Sequence, residues 1–255
     1  MKNKEEIIGR VVEILNRSFS VIDRCYEHND ESSLKDANFE IAGSRIIFPS
    51  YSRNYRKAKR RFSEQELRFV FLEQFNEYCK DPDTAWDVYY SVETPTEWKY
   101  KFSKADKPHK TDDGSGESAS FDVCIHDKTG KRICMIEFKA GNPEPSHYIK
   151  DFVKQANEVS FEKGEKKKHL PQEEVVQFFV HILERQYSNT ETKIHEKIRK
   201  YLLKNYTPDD IKKMTSIIYV CHTIEKHFKG TKCTWIGDET PSNWKKETIW
   251  DEIKK

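Results

Sequence analysis

The chain has none of the cysteine spacings that mark a metal ribbon or a redox pair. Its six cysteines, at positions 25, 79, 124, 134, 221 and 233, include no C-x-x-C. A chain of 255 residues with ample other core material needs no disulfide staples, so reduced thiols and a cytoplasmic setting are expected. No apolar run approaches the roughly 18–20 residues that span a bilayer, so no membrane association is expected. Residues 1–20 alternate apolar and charged positions, as an amphipathic helix does and a signal peptide does not. There is no Walker A or G-x-G-x-x-G phosphate loop and no G-x-S-x-G elbow, which excludes the familiar nucleotide-binding and serine-hydrolase signatures. There is no internal repeat. Neither sign of charge dominates: 45 Lys and Arg face 43 Asp and Glu, for a net charge of +2. A nucleic-acid partner must therefore be argued from local patches. What is abundant is charge of both signs, 35% of residues, with 13% aromatics. At a mean hydropathy of −0.89 this describes a folded protein with a heavily charged surface.

Hydrophobic periodicity places the elements. Residues 4–24 read as an amphipathic helix. Phe39–Phe48 reads as a short hairpin or irregular strand pair. A helix opens at Ser63, where Ser63-Glu64-Gln65-Glu66 has capping-box form, and runs to about Cys79. Trp86–Val92 is a predicted strand, and 103–119 a polar loop. Phe121–His126 and Arg132–Lys139 form a hairpin around the turn 127–130. Helices follow at 146–160, 190–205 and 208–214, the last with Thr207 as N-cap. Strands are predicted at 175–183 and 216–223, and a short helix around 244–253. This order predicts a mixed α/β fold, a mixed sheet flanked by helices. Residues 1–60 read as an N-terminal helical extension with a basic arm, and 61–255 as one compact α/β unit.

The hairpin carries the chemistry. Side chains alternate across a strand, so Glu137 and Lys139 share one face and Ile136 and Phe138 the other. The turn folds the partner strand back and sets Asp122 beside the Glu137–Lys139 end. Two close carboxylates repel and call for a cation. Oxygen ligands suit a hard divalent ion, Mg²⁺ above all. The bare acid-x-Lys triplet recurs at Glu97–Lys99, Glu165–Lys167, Glu191–Lys193, Asp210–Lys212 and Glu252–Lys254. Only Glu137-Phe138-Lys139 lies within an apolar strand that follows an acid across a hairpin.

Asp122, fourteen residues and then Glu137-Phe138-Lys139 resembles the PD-(D/E)xK nuclease superfamily, over roughly residues 60–185. The resemblance implies a restriction-endonuclease-like core and Mg²⁺-dependent phosphodiester hydrolysis, with Mn²⁺ as a substitute ion. It implies that Asp122 and Glu137 bind the metal with the main-chain carbonyl of Phe138, and that Lys139 serves the hydrolytic water. A helix glutamate joins the site in many members; of Glu64 and Glu66, Glu64 is preferred, since Glu66 has the capping job. The resemblance also offers Gln155, on the next helix, as a substrate or site contact. Phe121 stands in place of the family's proline, and Gln155 lacks the glutamine-x-x-x-tyrosine pattern of one branch. The implied function is a DNA endonuclease of restriction or phage-defence type, acting as a homodimer if it cuts both strands. The alternatives are a catalytically silent nuclease-like module that binds nucleic acid or protein, and an RNA-cleaving relative.

Two further clusters bear on function. Arg53, Arg56, Lys57, Lys59, Arg60 and Arg61 are interleaved with Tyr51 and Tyr55, a pattern that suits a phosphate backbone and a stacked base. Cys221, His222, His227 and Cys233 fit no common zinc spacing, and Cys221 and His222, being adjacent on a strand, face opposite ways.

Overall fold

The computed structural model describes residues 4–28, 43–48, 50–51, 59–60, 63–102, 108–111, 115–141, 144–158, 175–184, 190–224 and 229–250. The first helix, α1 (Lys4–His28), extends the predicted 4–24 by a turn. Its stripe of Ile7, Val11, Val12, Leu15 and Phe19 is fully buried and shares one core with the rest of the molecule. It is a wall of that core, not an appended arm. Strands β1 (Ser50–Tyr51) and β2 (Lys59–Arg60) form a separate small ribbon.

Helix α2 (Glu64–Lys80) starts at the capping box: the Ser63 amide donates to Glu66 Oε2 at 2.9 Å. Such a cap contributes about 1 kcal/mol. Strands β3 (Val88–Lys101), β4 (His109–Thr111), β5 (Glu117–Asp127) and β6 (Arg132–Ala140) follow. Then come α3 (Pro145–Glu158), β7 (Val176–Leu183), α4 (Thr190–Asn205), α5 (Pro208–Met214), β8 (Ile218–Thr223), β9 (Gly230–Cys233) and β10 (Lys245–Lys246). The eight-stranded sheet has the order β10-β9-β8-β7-β6-β5-β3-β4. Pairings β6–β7 and β7–β8 are parallel, and β3–β5 and β5–β6 antiparallel. The fold is mixed α/β.

The sheet has a helical layer on each face. Ile136, Phe138, Phe178, Val180 and Val220 pack with α1 and α2. Phe179, Tyr219 and Cys221 pack with α3, α4 and α5. Every residue of β7 is buried, so this strand is covered on both faces. Each fully buried Val, Leu, Ile or Phe there contributes about 1.5–3 kcal/mol.

The edges depart from the sequence reading. β3 runs on through polar Thr94–Lys101, twice the predicted length, because it stays paired with β5 as far as Tyr100 opposite Glu117. A bulge between Pro95 and Lys99 is held by buried Glu158, which accepts from the Glu97 amide at 2.8 Å, the Trp98 amide at 3.1 Å and the Tyr100 hydroxyl at 2.9 Å. Glu158→Ala is expected to destabilise the protein by about 2–4 kcal/mol, since it strands three donors; urea unfolding measures it. The predicted loop 103–119 contains β4 and the start of β5. The predicted helix near 244–253 is instead β10 followed by a turn to Trp250. Residues 43–48 carry no strand, and 39–42 lie outside the described residues. Among the described residues no helix is long and apolar enough to cross a membrane.

Candidate active site

The site forms where two strands part. The paired register of β5 and β6 ends at Val123 opposite Ile136, one residue short of Asp122. Beyond it Asp122 Oδ2 accepts the Phe138 amide at 2.8 Å, so a carboxylate replaces the next ladder bond. The N–H and C=O of one strand residue point to the same edge, so the Phe138 carbonyl also faces the Asp122 side. Across β3, the residue opposite Asp122 is Glu93, with φ of 47°, a left-handed conformation that costs a non-glycine residue about 1–3 kcal/mol. Glu93 is held there by Arg68 of α2 and by the Ser120 hydroxyl at 2.8 Å. Arg68 also lies 3.5 Å from Asp122 Oδ1.

Glu137 and Lys139 face α3, where sequence reasoning placed no charged partner. Asp151 and Lys154, one helical turn apart, meet them. Lys154 Nζ lies 2.6 Å from Glu137 Oε1 and 3.3 Å from Asp151 Oδ1, and donates to the Ser120 carbonyl at 2.6 Å. Lys139 Nζ lies 3.0 Å from Asp151 Oδ2 and 3.3 Å from Glu64 Oε1. Glu64 thus reaches in from the first turn of α2, while Glu66 is occupied with Ser63. Glu137 is 3% exposed and Lys154 4%.

Four carboxylates, Glu64, Asp122, Glu137 and Asp151, therefore gather around three cations, Lys139, Lys154 and Arg68. Burial raises the Asp122 carboxyl, only partly offset by the Phe138 amide. Burial also pushes Glu137 well above the usual carboxylate range, against the pull of Lys154. Asp151 is pushed up by burial too, but Lys154 and Lys139 outweigh this and hold it low. Burial works against the charge on Lys139, yet Asp151 and Glu64 raise its pKa, so the ammonium stays protonated. Lys154 is raised in the same way by Glu137 and Asp151.

The cluster is short of positive charge. Buried Glu137 Oε1 and Asp151 Oδ2 receive no well-formed hydrogen bond although an ammonium stands beside each. Three carboxylates and a carbonyl make an oxygen-rich donor set of the kind that holds Mg²⁺ or Mn²⁺. Asp122, Glu137 and the Phe138 carbonyl would hold such an ion, with Asp151 as a further candidate, once Lys154, which bridges Glu137 and Asp151, gives way.

No family model matches the chain, and no curated protein or solved structure is significantly similar to it. What the cluster does must follow from its own chemistry.

Gln155 sits one residue beyond Lys154 but turns elsewhere. It is fully buried, and its side-chain amide donates to the Phe178 carbonyl at 2.8 Å. It braces α3 on β7, and its buried Oε1 has no hydrogen-bond partner among the described residues. Of the basic segment, Arg53, Arg56, Lys57 and Arg61 lie outside the described residues; Lys59 and Arg60 contribute backbone to β2. His222 is not gathered with cysteines: it stacks on Phe19 at 4.3 Å and lies 3.1 Å from Asp23. His227 lies outside the described residues. Behind Lys139, His181 bonds the Gly141 carbonyl at 2.6 Å and the Tyr148 and Tyr219 hydroxyls at 3.1 and 2.8 Å. Burial lowers its pKa to about 4, so it is neutral and structural at neutral pH. Asp151 and Lys154 escaped the sequence reading although both flank the inward stripe Phe152, Val153 and Ala156.

Proposed function

We propose that this protein is a metal-dependent nuclease that hydrolyses phosphodiester bonds, with DNA as its substrate. The observation that carries the reading is the convergence of Asp122, Glu137 and Lys139 at the splayed end of the hairpin, in the order the nuclease resemblance requires. A bound Mg²⁺ would neutralise phosphate charge and favour ionisation of the attacking water. Asp122 and Glu137 would hold the ion, Asp122 being fixed by the Phe138 amide. Lys139 keeps its proton, so it stabilises the negative charge that develops on the phosphoryl oxygens and does not act as the base. Asp151 and Glu64 set the position of that ammonium.

A second reading is a catalytically silent module. It is favoured by Lys154, whose ammonium already neutralises Glu137 and Asp151 without any metal. Incubation with supercoiled DNA, single-stranded DNA and RNA, each with Mg²⁺ or Mn²⁺, separates the two. A nuclease cuts at least one of these substrates only when metal is present, and Glu137→Gln abolishes the cutting. Binding without cutting in every metal supports the silent module.

A further inference from the structure

A second acidic cluster lies away from the hairpin, on the α4 side of the sheet. Glu191 and His195 are four residues apart on α4 and so share a face. Glu247, from the segment after β10, meets them; one ligand atom from each of the three lies within 4.8 Å of the others. Its place is fixed by its own amide, which donates to the Cys233 carbonyl at 2.8 Å.

Two atoms of this cluster have no hydrogen-bond partner among the described residues. One is Oε2 of Glu247, a residue 4% exposed, and the other is the buried Nε2 of His195. The charges that are present stand outside: Lys232 Nζ pairs with Glu191 Oε1 at 2.6 Å, and the Thr248 amide donates to Glu247 Oε1 at 2.7 Å. Both act as outer-shell groups that orient carboxylates, as the supports of metal ligands do. His195 Nδ1 and Glu247 Oε1 are 3.5 Å apart. Two ligands about 2.1 Å from a tetrahedral ion would be about 3.4 Å apart.

We propose that Glu191, His195 and Glu247 form a binding site for a divalent transition-metal ion, Zn²⁺ in preference to Mg²⁺. The imidazole sets the preference, because Mg²⁺ selects oxygen donors while Zn²⁺ accepts nitrogen and carboxylate together. The ion ties α4 to the C-terminal segment, which is otherwise anchored by the short β9–β10 pairing and the packing of Ile249 and Trp250. Its role is structural, and it is independent of the nuclease reading.

The test is Zn²⁺ titration of the full-length Asp122→Asn protein, in which the hairpin site is disabled, followed by calorimetry and thermal unfolding. One equivalent of Zn²⁺ should bind, with a rise in melting temperature, while Mg²⁺ at the same concentration gives none. His195→Gln and Glu247→Gln, the latter an isostere of the protonated acid, should each weaken Zn²⁺ binding at least 100-fold with the apo fold retained by circular dichroism. A readout needing no substitution at the cluster is the visible absorption of bound Co²⁺, expected to be intense as in four- or five-coordinate sites. Failure to bind Zn²⁺, or full affinity in folded His195→Gln, overturns the assignment. So does the weak absorption of octahedral Co²⁺.

Discussion

Lys154→Met should destabilise the protein by about 3–5 kcal/mol at neutral pH, the cost of leaving buried charge without its partner. Methionine keeps most of the side-chain volume, so the loss is that of the ammonium. Among the described residues Glu137 then has no cation within salt-bridge distance, and Asp151 keeps its ion pair with Lys139. For a chain of this size the melting temperature should fall by roughly 10 °C. The deficit depends on pH in a definite sense. Without Lys154 the Glu137 pKa rises further above its unfolded value, and the depression of the Asp151 pKa is relieved. A group raised in this way favours the folded state when protonated and loses that contribution as pH rises. The gap from wild type should therefore be small near pH 4–5 and widen towards pH 7. Mg²⁺ should narrow it, because a cation at the carboxylates does what the ammonium did. Urea unfolding of both proteins at two pH values, with and without Mg²⁺, measures all three effects. Equal stability of the two proteins at pH 7 would mean that Lys154 does not neutralise the cluster.

Asp122→Asn should leave the fold intact and reduce cleavage by about 10³-fold or more, the scale of losing a principal charge-stabilising group. The asparagine oxygen can still accept the Phe138 amide, and one of several crowded negative charges is gone. Asp122→Ala differs in a way that checks the geometry. It leaves the Phe138 amide unpaired, which costs about 1–3 kcal/mol of stability in addition to activity. Thermal melts paired with cleavage rates separate the two substitutions. An Asp122→Asn protein that is active, or as unstable as the alanine variant, would contradict the role given to Asp122.

Much of this arrangement was legible in the sequence, for reasons that can be named. The helices α2, α4 and α5 follow their apolar periodicity, and the Ser63–Glu66 box of α2 and the Thr207 cap of α5 are where the sequence put them. The central strands β7 and β8 are predominantly apolar and buried throughout. The hairpin was legible because Gly130, with φ of 80°, closes a turn between two apolar strands. What was not legible lies at the sheet edges. The second half of β3, together with β4, β9 and β10, is polar and half exposed, so pairing and not hydrophobicity makes these strands. The helix α3 was legible, but its charged residues Asp151 and Lys154 were not assigned to the site. A helix that packs over a strand bearing Glu137 and Lys139 must meet them with complementary charge, and the spacing Asp151-x-x-Lys154 supplies it. Gln155, chosen from the resemblance, lies a step around the helix, where it reaches the Phe178 carbonyl. The Glu191–His195 pair is visible as an i, i+4 spacing, but nothing in the sequence brings Glu247 to it.

The central claim is that Asp122, Glu137 and the Phe138 carbonyl hold a catalytic metal ion. Mn²⁺ soaked into crystals of the full-length protein tests it most directly, since its anomalous scattering locates the ion. A peak within about 2.0–2.4 Å of Asp122 and Glu137 oxygens, with Lys154 drawn away from Glu137, is the expected result. Saturating Mn²⁺ with no peak there, and Lys154 still in contact with Glu137, would contradict the account.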